Sequence, residues 1–324
     1  MTKADNASAQ LTEGGQLRHL LRLKGLSRDF ISRLLDKAES YQRPIGEPPA
    51  RDTVLKGHTV ANLFFEPSTR TRASFELAAK RLSADVLNLD VNMSSRIKGE
   101  SLLDTIYTLQ AMQCDIFVVR DASAGIPEFI SENVLPNISV LNAGEAAVAH
   151  PTQGLLDLLT IRQSKKCLDG LVVTIVGDIA HSRVARSISE GLRIMGDNEL
   201  RLIAPEGLAP DQEFFPGAII SHDIDKAMQG SDVVMALRIQ RERIKEKSSL
   251  MTSNEYLKQY GLTEDRIKLA KPDAIVMHPG PMNRDVEITG AVADGPQSVI
   301  AQQVTNGLAV RMAVLAAIME SRQP

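Results

Sequence analysis

The stretch that most constrains the fold is residues 58–82, HTVANLFFEPSTRTRASFELAAKRL. A short apolar, partly β-branched run, His58 to Phe65, stops at Glu66-Pro67, and beyond it Phe75, Ala78, Ala79 and Leu82 recur at helical spacing. The pattern predicts a buried strand handing over to a helix, with Ser68, Thr69, Arg70, Thr71 and Arg72 at the hand-over. Unpaired backbone N–H groups at a helix start, the positive end of its dipole, short hydroxyl donors and two guanidinium groups make a site for a dianion such as phosphate. Ser68 as a plain N-cap is the simpler alternative. Capping alone does not call for two threonines and two arginines within five residues.

The rest of the chain repeats the alternation of strand and helix. Apolar strands are expected at 86–91, 115–119 and 138–142, with helical stretches near 101–113 and 126–133, the βαβ pattern of a parallel sheet. A helix at about 152–163 leads into the polar QSKKCLDG turn, read as a hinge, and the alternation restarts at 171–178, 200–204, 217–221, 232–237 and 273–278. The fold expected is α/β, with two domains, each a central parallel sheet flanked by helices. The first spans 1–155 and is completed by a C-terminal helix within 296–324; the second spans 156–295. An amphipathic helix is expected around Phe30, Ile31, Leu34 and Leu35, behind a loosely held lead over residues 1–15.

Composition narrows the function classes. A length of 324 residues with 43% hydrophobic content can bury one large or two ordinary cores, two domains being the softer prior. A net charge of −3 offers no basic stripe for nucleic acid or a membrane surface, and 4% aromatics without tryptophan argue against base stacking. The apolar runs are too short for a membrane span and the N-terminus lacks a secretory apolar region, so a cytoplasmic protein is expected. Two cysteines, Cys114 and Cys167, are too few for a disulfide framework or zinc site and read as small buried hydrophobes. The strand LVVTIVGD invites a dinucleotide reading, but the following GDIAHSRVARS lacks the glycines that let backbone approach a pyrophosphate. Arg183 and Arg186 are better read there as holders of carboxylate or phosphate.

The string FEPSTRTR (65–72) resembles the carbamoyl-phosphate signature of the aspartate and ornithine carbamoyltransferases, and HPTQ (150–153) and HPGPMNR (278–284) resemble the aspartate branch of that family. The resemblance runs from about Gln16 to the C-terminal helix. It implies transfer of a carbamoyl group from carbamoyl phosphate to the α-amine of L-aspartate, a step of pyrimidine biosynthesis, with no cofactor and no metal. It also implies a homotrimer with shared active sites, and leaves open regulatory or dihydroorotase-like partner chains. An ornithine-specific enzyme and a non-catalytic scaffold are the alternatives.

By this resemblance Ser68, Thr69, Arg70 and Thr71 hold the phosphate, with Arg120 reaching it and the carbonyl oxygen. His150 donates to the carbamoyl oxygen and Gln153 fixes the carbamoyl amide. Arg183 takes the α-carboxylate of aspartate, and Arg238 and Gln240 the side-chain carboxylate. Pro279 and Gly280 offer backbone carbonyls to the amide and amine. Family members often carry leucine where Gly280 stands; glycine removes a side-chain wall and adds backbone freedom. Ser94 and Lys98 reach into the neighbouring subunit's site. The later cations Arg241, Arg243, Lys245 and Lys247 are left as solvent-facing. No covalent enzyme nucleophile is required, because the acceptor amine itself attacks; the protein's work is positioning and neutralising charge.

Overall fold

The structure, a computed structural model, describes residues 7–44, 46–89, 101–240 and 251–322. The chain divides into two compact units, one running to Leu156 and resuming at Thr305, the other spanning Asp157–Val304. The division falls inside two helices, α6 (Pro151–Lys165) and α12 (Ile300–Glu320), so the QSKKCLDG stretch begins as the last turn of α6.

The first unit opens with α1 (Ala7–Gln10) and α2 (Arg28–Ser40), the latter capped by the Ser27 side chain, which accepts from Phe30 N. Then come β1 (Thr59–Phe64), α3 (Thr69–Arg81), β2 (Asp85–Leu89), α4 (Leu102–Ala111), β3 (Ile116–Asp121), α5 (Ile126–Asn133) and β4 (Ser139–Glu145). Its four strands are all parallel in the order β2-β1-β3-β4. Parallel strands covered by helices are apolar over most of their length, which is why β1 and β3 read as largely hydrophobic runs, interrupted by Asn62 in β1 and ended by Arg120 and Asp121 in β3. Ala61, Leu63, Phe117, Val119 and Val140 form one core with Ile106 and Leu109 of α4 and Ile130 of α5.

The second unit carries β5 (Val172–Val176), α7 (Arg183–Met195), β6 (Glu199–Ile203), β7 (Ile219–Ser221), α8 (Ile224–Met228) and β8 (Val233–Ala236). It continues through α9 (Ser253–Tyr260), α10 (Glu264–Ile267), β9 (Ile275–Met277) and α11 (Gly290–Ala293). Its five strands are likewise parallel, in the order β7-β6-β5-β8-β9. The expected α/β class is observed in both units.

Three expectations need correction. The lead is not loose from Gln10 onward: this side chain is fully buried, its Oε1 accepts from Leu21 N and Arg22 N, each at 2.8 Å, and its amide donates to Lys24 O. A polar residue can be buried when every polar atom is matched, and such matching leaves no trace in hydrophobic periodicity. Cys114 is buried, but Cys167 is exposed, since it follows the end of α6 in a surface turn. Arg186, third, packs its guanidinium over the Phe214 ring.

Candidate functional site

Each unit gathers its candidate residues at the carboxyl edge of its own sheet, where open α/β sheets bind ligands. In the first unit β1 ends at Phe64 and α3 begins at Thr69, with Ser68 in the N-cap position. Ser68 makes no side-chain capping hydrogen bond. The plain capping role is therefore not what this serine performs. Thr69 and Arg70 are exposed and Ser68 and Thr71 half-buried, so the first turn of α3 presents its hydroxyls and backbone N–H groups at the surface.

Arg120 lies on β3 beside Phe64 of β1 and is buried, 8% exposed. Its guanidinium donates to Glu66 Oε1 at 2.8 Å and to Ala143 O at 3.2 Å, which holds the fork at the strand ends rather than letting it range through solvent. His150 is buried and directly precedes α6, and its carbonyl accepts from Gln153 N and Gly154 N. The approach to His150 is set by Glu145. One carboxylate oxygen of Glu145 accepts from Gly125 N at 2.5 Å and the other from the Asn142 amide at 3.0 Å, while its backbone pairs with Ala149.

In the second unit β5 leads through Gly177 to Asp178, and α7 starts at Arg183, which is buried. Arg238 and Gln240 follow β8, and Pro279 and Gly280 follow β9; β5, β8 and β9 are sheet neighbours. Asp178 is fully buried. Its Oδ1 meets His181 Nδ1 at 2.8 Å, and its Oδ2 accepts from Gln240 N at 3.1 Å, while the Gln240 amide donates to His181 O. Gly280 has φ of 65°, the left-handed region where a Cβ is strained, so glycine here serves the turn itself.

Arg186 departs from the ligand-holding role given to it above. Its guanidinium carbon lies 3.9 Å from the centre of the Phe214 ring, and burial lowers its basicity. A guanidinium stacks on an aromatic face because it is planar and weakly hydrated. The residue ties α7 to the Gln212–Phe214 turn. Ser94, Lys98 and the run Arg241 to Lys247 lie outside the described residues.

The residues that sequence reasoning missed are those behind the candidates: Glu66, Glu145, Asp178, His181, His278 and Glu287. Glu66 sits within the motif string and Asp178 ends an apolar strand, so both were visible; their hydrogen-bond partners were not. Among the described residues no group of three His, Cys, Asp or Glu is placed to hold a metal ion, and no helix is long and apolar enough to cross a membrane.

Residues 18–163 match the aspartate/ornithine carbamoyltransferase carbamoyl-phosphate-binding domain, and residues 169–318 match the family's Asp/Orn-binding domain. The chain belongs to the aspartate/ornithine carbamoyltransferase family. Among solved structures, aspartate transcarbamoylase from Trypanosoma cruzi in complex with carbamoyl phosphate and aspartate is 32% identical over 93% of this chain and 96% of its own, with a TM-score of 0.84. The same enzyme with aspartate and phosphate is 31% identical over 98% of both chains, with a TM-score of 0.82. Ornithine carbamoyltransferase from Thermus thermophilus is 26% identical over 93% of this chain and 99% of its own, also with a TM-score of 0.82. This carbamoyltransferase thus shares one fold with relatives of both acceptor specificities. The fold alone does not choose between them.

Proposed function

We propose that this carbamoyltransferase moves the carbamoyl group of carbamoyl phosphate to the α-amine of L-aspartate, giving N-carbamoyl-L-aspartate and phosphate, the committed step of pyrimidine nucleotide synthesis. The first unit holds the carbamoyl phosphate. Ser68, Thr69, Arg70 and Thr71 at the start of α3 neutralise the phosphate, Arg120 reaches it and the carbonyl oxygen, and Gln153 fixes the amide. His150 donates to the oxygen that becomes negative as the amine adds, an interaction strongest in the transition state. The carbamoyl C–O bond then breaks as the C–N bond is completed, and phosphate leaves with the C–O electron pair and takes up the proton that the amine gives up, its charge balanced by the cations.

The observation that carries the aspartate reading is the charge at the carboxyl edge of the second sheet. Arg183 begins α7, which follows β5, and Arg238 lies just beyond β8, the neighbour of β5; the two guanidinium groups suit the two carboxylates of aspartate. An acceptor with a cationic side chain would need an anionic partner. The nearby carboxylate, Asp178, is fully buried, with one oxygen against His181 and the other against Gln240 N. Gln240, with one N–H of its amide on His181 O, keeps its second N–H for the acceptor. The backbone carbonyls of Pro279 and Gly280 receive the amide and amine.

Head-to-tail association into a homotrimer, with Ser94 and Lys98 lent to the neighbouring site, completes the proposal; a cytoplasmic location goes with it. The test is direct. Purified chain is supplied with carbamoyl phosphate and either L-aspartate or L-ornithine, and the product is identified by mass. Carbamoyl-aspartate is expected; carbamoyl-ornithine alone would overturn the acceptor assignment.

A further inference from the structure

The side chain of His278 is buried, 1% exposed, at the end of β9, with its two ring nitrogens engaged differently. Gly280 N donates to Nδ1 at 2.8 Å. A backbone N–H can only donate, so Nδ1 carries no proton and the imidazole is the neutral Nε2–H tautomer. Nε2 therefore donates to Glu287 Oε1 at 3.1 Å, and the same oxygen accepts from Asn283 N at 2.6 Å. The backbone of His278 is anchored as well, its N–H donating to Gln303 Oε1, whose amide donates in turn to buried Asp157.

The effect is a clamp on both sides of the turn. The imidazole holds the turn from inside at Gly280, and Glu287 closes it at Asn283. Between His278 and Asn283 lie Pro279, Gly280 with its left-handed φ, Pro281 and Met282. None of these four residues carries a side-chain N–H or O–H, so the side-chain hydrogen bonds that hold the turn come from His278 and Glu287.

We propose that His278 is a positioning residue for the acceptor: its unprotonated Nδ1 holds Gly280 N and thereby aims the Pro279 and Gly280 carbonyls, an inference that rests on the acceptor-binding reading of those two residues given above. His278 acts through the backbone and does not touch the acceptor. Placement of positioning groups matters because a small displacement of a substrate-holding group weakens binding and rate far more than the lost contact itself.

Two substitutions separate this role from mere burial of a polar pair. In His278→Asn the Oδ1 atom takes the place of Nδ1 and still accepts from Gly280 N, while the link to Glu287 is lost. In His278→Gln the terminal amide takes the place of Nε2 and still donates to Glu287, while Gly280 N loses its acceptor. Steady-state kinetics in aspartate, calorimetric affinity for carbamoyl phosphate and thermal midpoints are measured for both variants and wild type. His278→Asn is expected to keep the KM for aspartate within about threefold of wild type, and His278→Gln to raise it by about tenfold or more, with carbamoyl-phosphate affinity unchanged in both. Equal KM for aspartate in the two variants, or a KM that follows the loss in thermal midpoint instead of the Gly280 bond, overturns the proposal. The ring ¹⁵N shifts of His278 give a readout independent of turnover, and a protonated Nδ1 also overturns it. Wild-type enzyme that carbamoylates ornithine and not aspartate overturns the acceptor reading, a result these shifts distinguish from a failure of the clamp.

Discussion

Gly177 and Leu237 approach so closely that a Cβ placed on Gly177 would lie 2.3 Å from the Leu237 carbonyl oxygen. Gly177 follows β5 with φ of 138°, and Leu237 immediately precedes Arg238, so the glycine sets how near the Arg238 segment comes to the end of β5. Any side chain at this position must push the Leu237 backbone away, and the neighbour is backbone, which yields less readily than a flexible side chain.

Gly177→Ala is therefore expected to lose roughly 1–3 kcal/mol of stability through overpacking. It should also raise the KM for aspartate, because Arg238 and Gln240 move with Leu237. Binding of carbamoyl phosphate, measured by calorimetry, should stay as it is. An unchanged KM for aspartate in a destabilised variant would mean that Arg238 does not hold the acceptor.

Arg238→Ala makes the sharper test of the acceptor half. Removing one partner of a charge-assisted carboxylate pair costs about 2–5 kcal/mol. Saturation by aspartate should weaken accordingly while carbamoyl-phosphate affinity is kept. Comparable losses for both ligands would show that the two substrates have been assigned to the wrong units.

His150→Ala addresses the chemistry itself. A donor aimed at a developing oxyanion contributes about 10² to 10³ in rate in well-studied cases, and little to ground-state binding. Turnover is expected to fall by that order with carbamoyl-phosphate affinity nearly intact. A variant with normal turnover would reduce His150 to a buried histidine that caps the start of α6.

Much of this organisation is legible in the residues alone, and the exceptions share a cause. Strands such as β1, β3 and β5 declare themselves because a helix-covered parallel sheet requires largely apolar runs, and Ser68 to Thr71 declare themselves because dianions demand donors at a helix start. The strand expected at 138–142 instead continues to Glu145. Its last residues are not β-branched, and they stay buried because Asn142 donates to Leu21 O and Glu145 and accepts from Gly144 N. Gln10 and Asp178 follow the same logic, paired with Leu21 and Gln240, and Arg186 stacks on Phe214. His278 bonds closer residues, Gly280 and Glu287, but hydrophobic periodicity records no side-chain pairing at either range.

The shared-site reading predicts complementation. Lys98→Ala chains and His150→Ala chains, each inactive alone, are mixed, gently dissociated and reassociated. In mixed trimers some sites combine an intact His150 with a neighbour's intact Lys98, so part of the activity should return. Mixing verified by mass with no recovery of activity would leave each chain serving only its own site.

A third buried histidine, His19, lies in the first unit. It is 1% exposed, and Val140 N donates to its Nδ1 at 2.9 Å, so it too is held neutral. Burial, with Arg18 and Arg322 adding their charge, lowers its pKa to about 3 from an ordinary value of 6.5. The unfolded chain therefore binds a proton at this residue between those values and the folded chain does not. Stability associated with His19 is fully present above pH 6.5 and is lost as the pH falls toward 3, at a rate approaching 1.4 kcal/mol per pH unit while the unfolded imidazole is charged and the folded one is neutral. His19→Asn keeps an acceptor for Val140 N but has no titrating ring. Urea midpoints compared at pH 7 and pH 4.5 should fall more steeply in wild type than in this variant, whatever the variant's own stability at pH 7. Parallel declines would show that acid sensitivity arises elsewhere, and that the unfolded and folded chains protonate His19 alike.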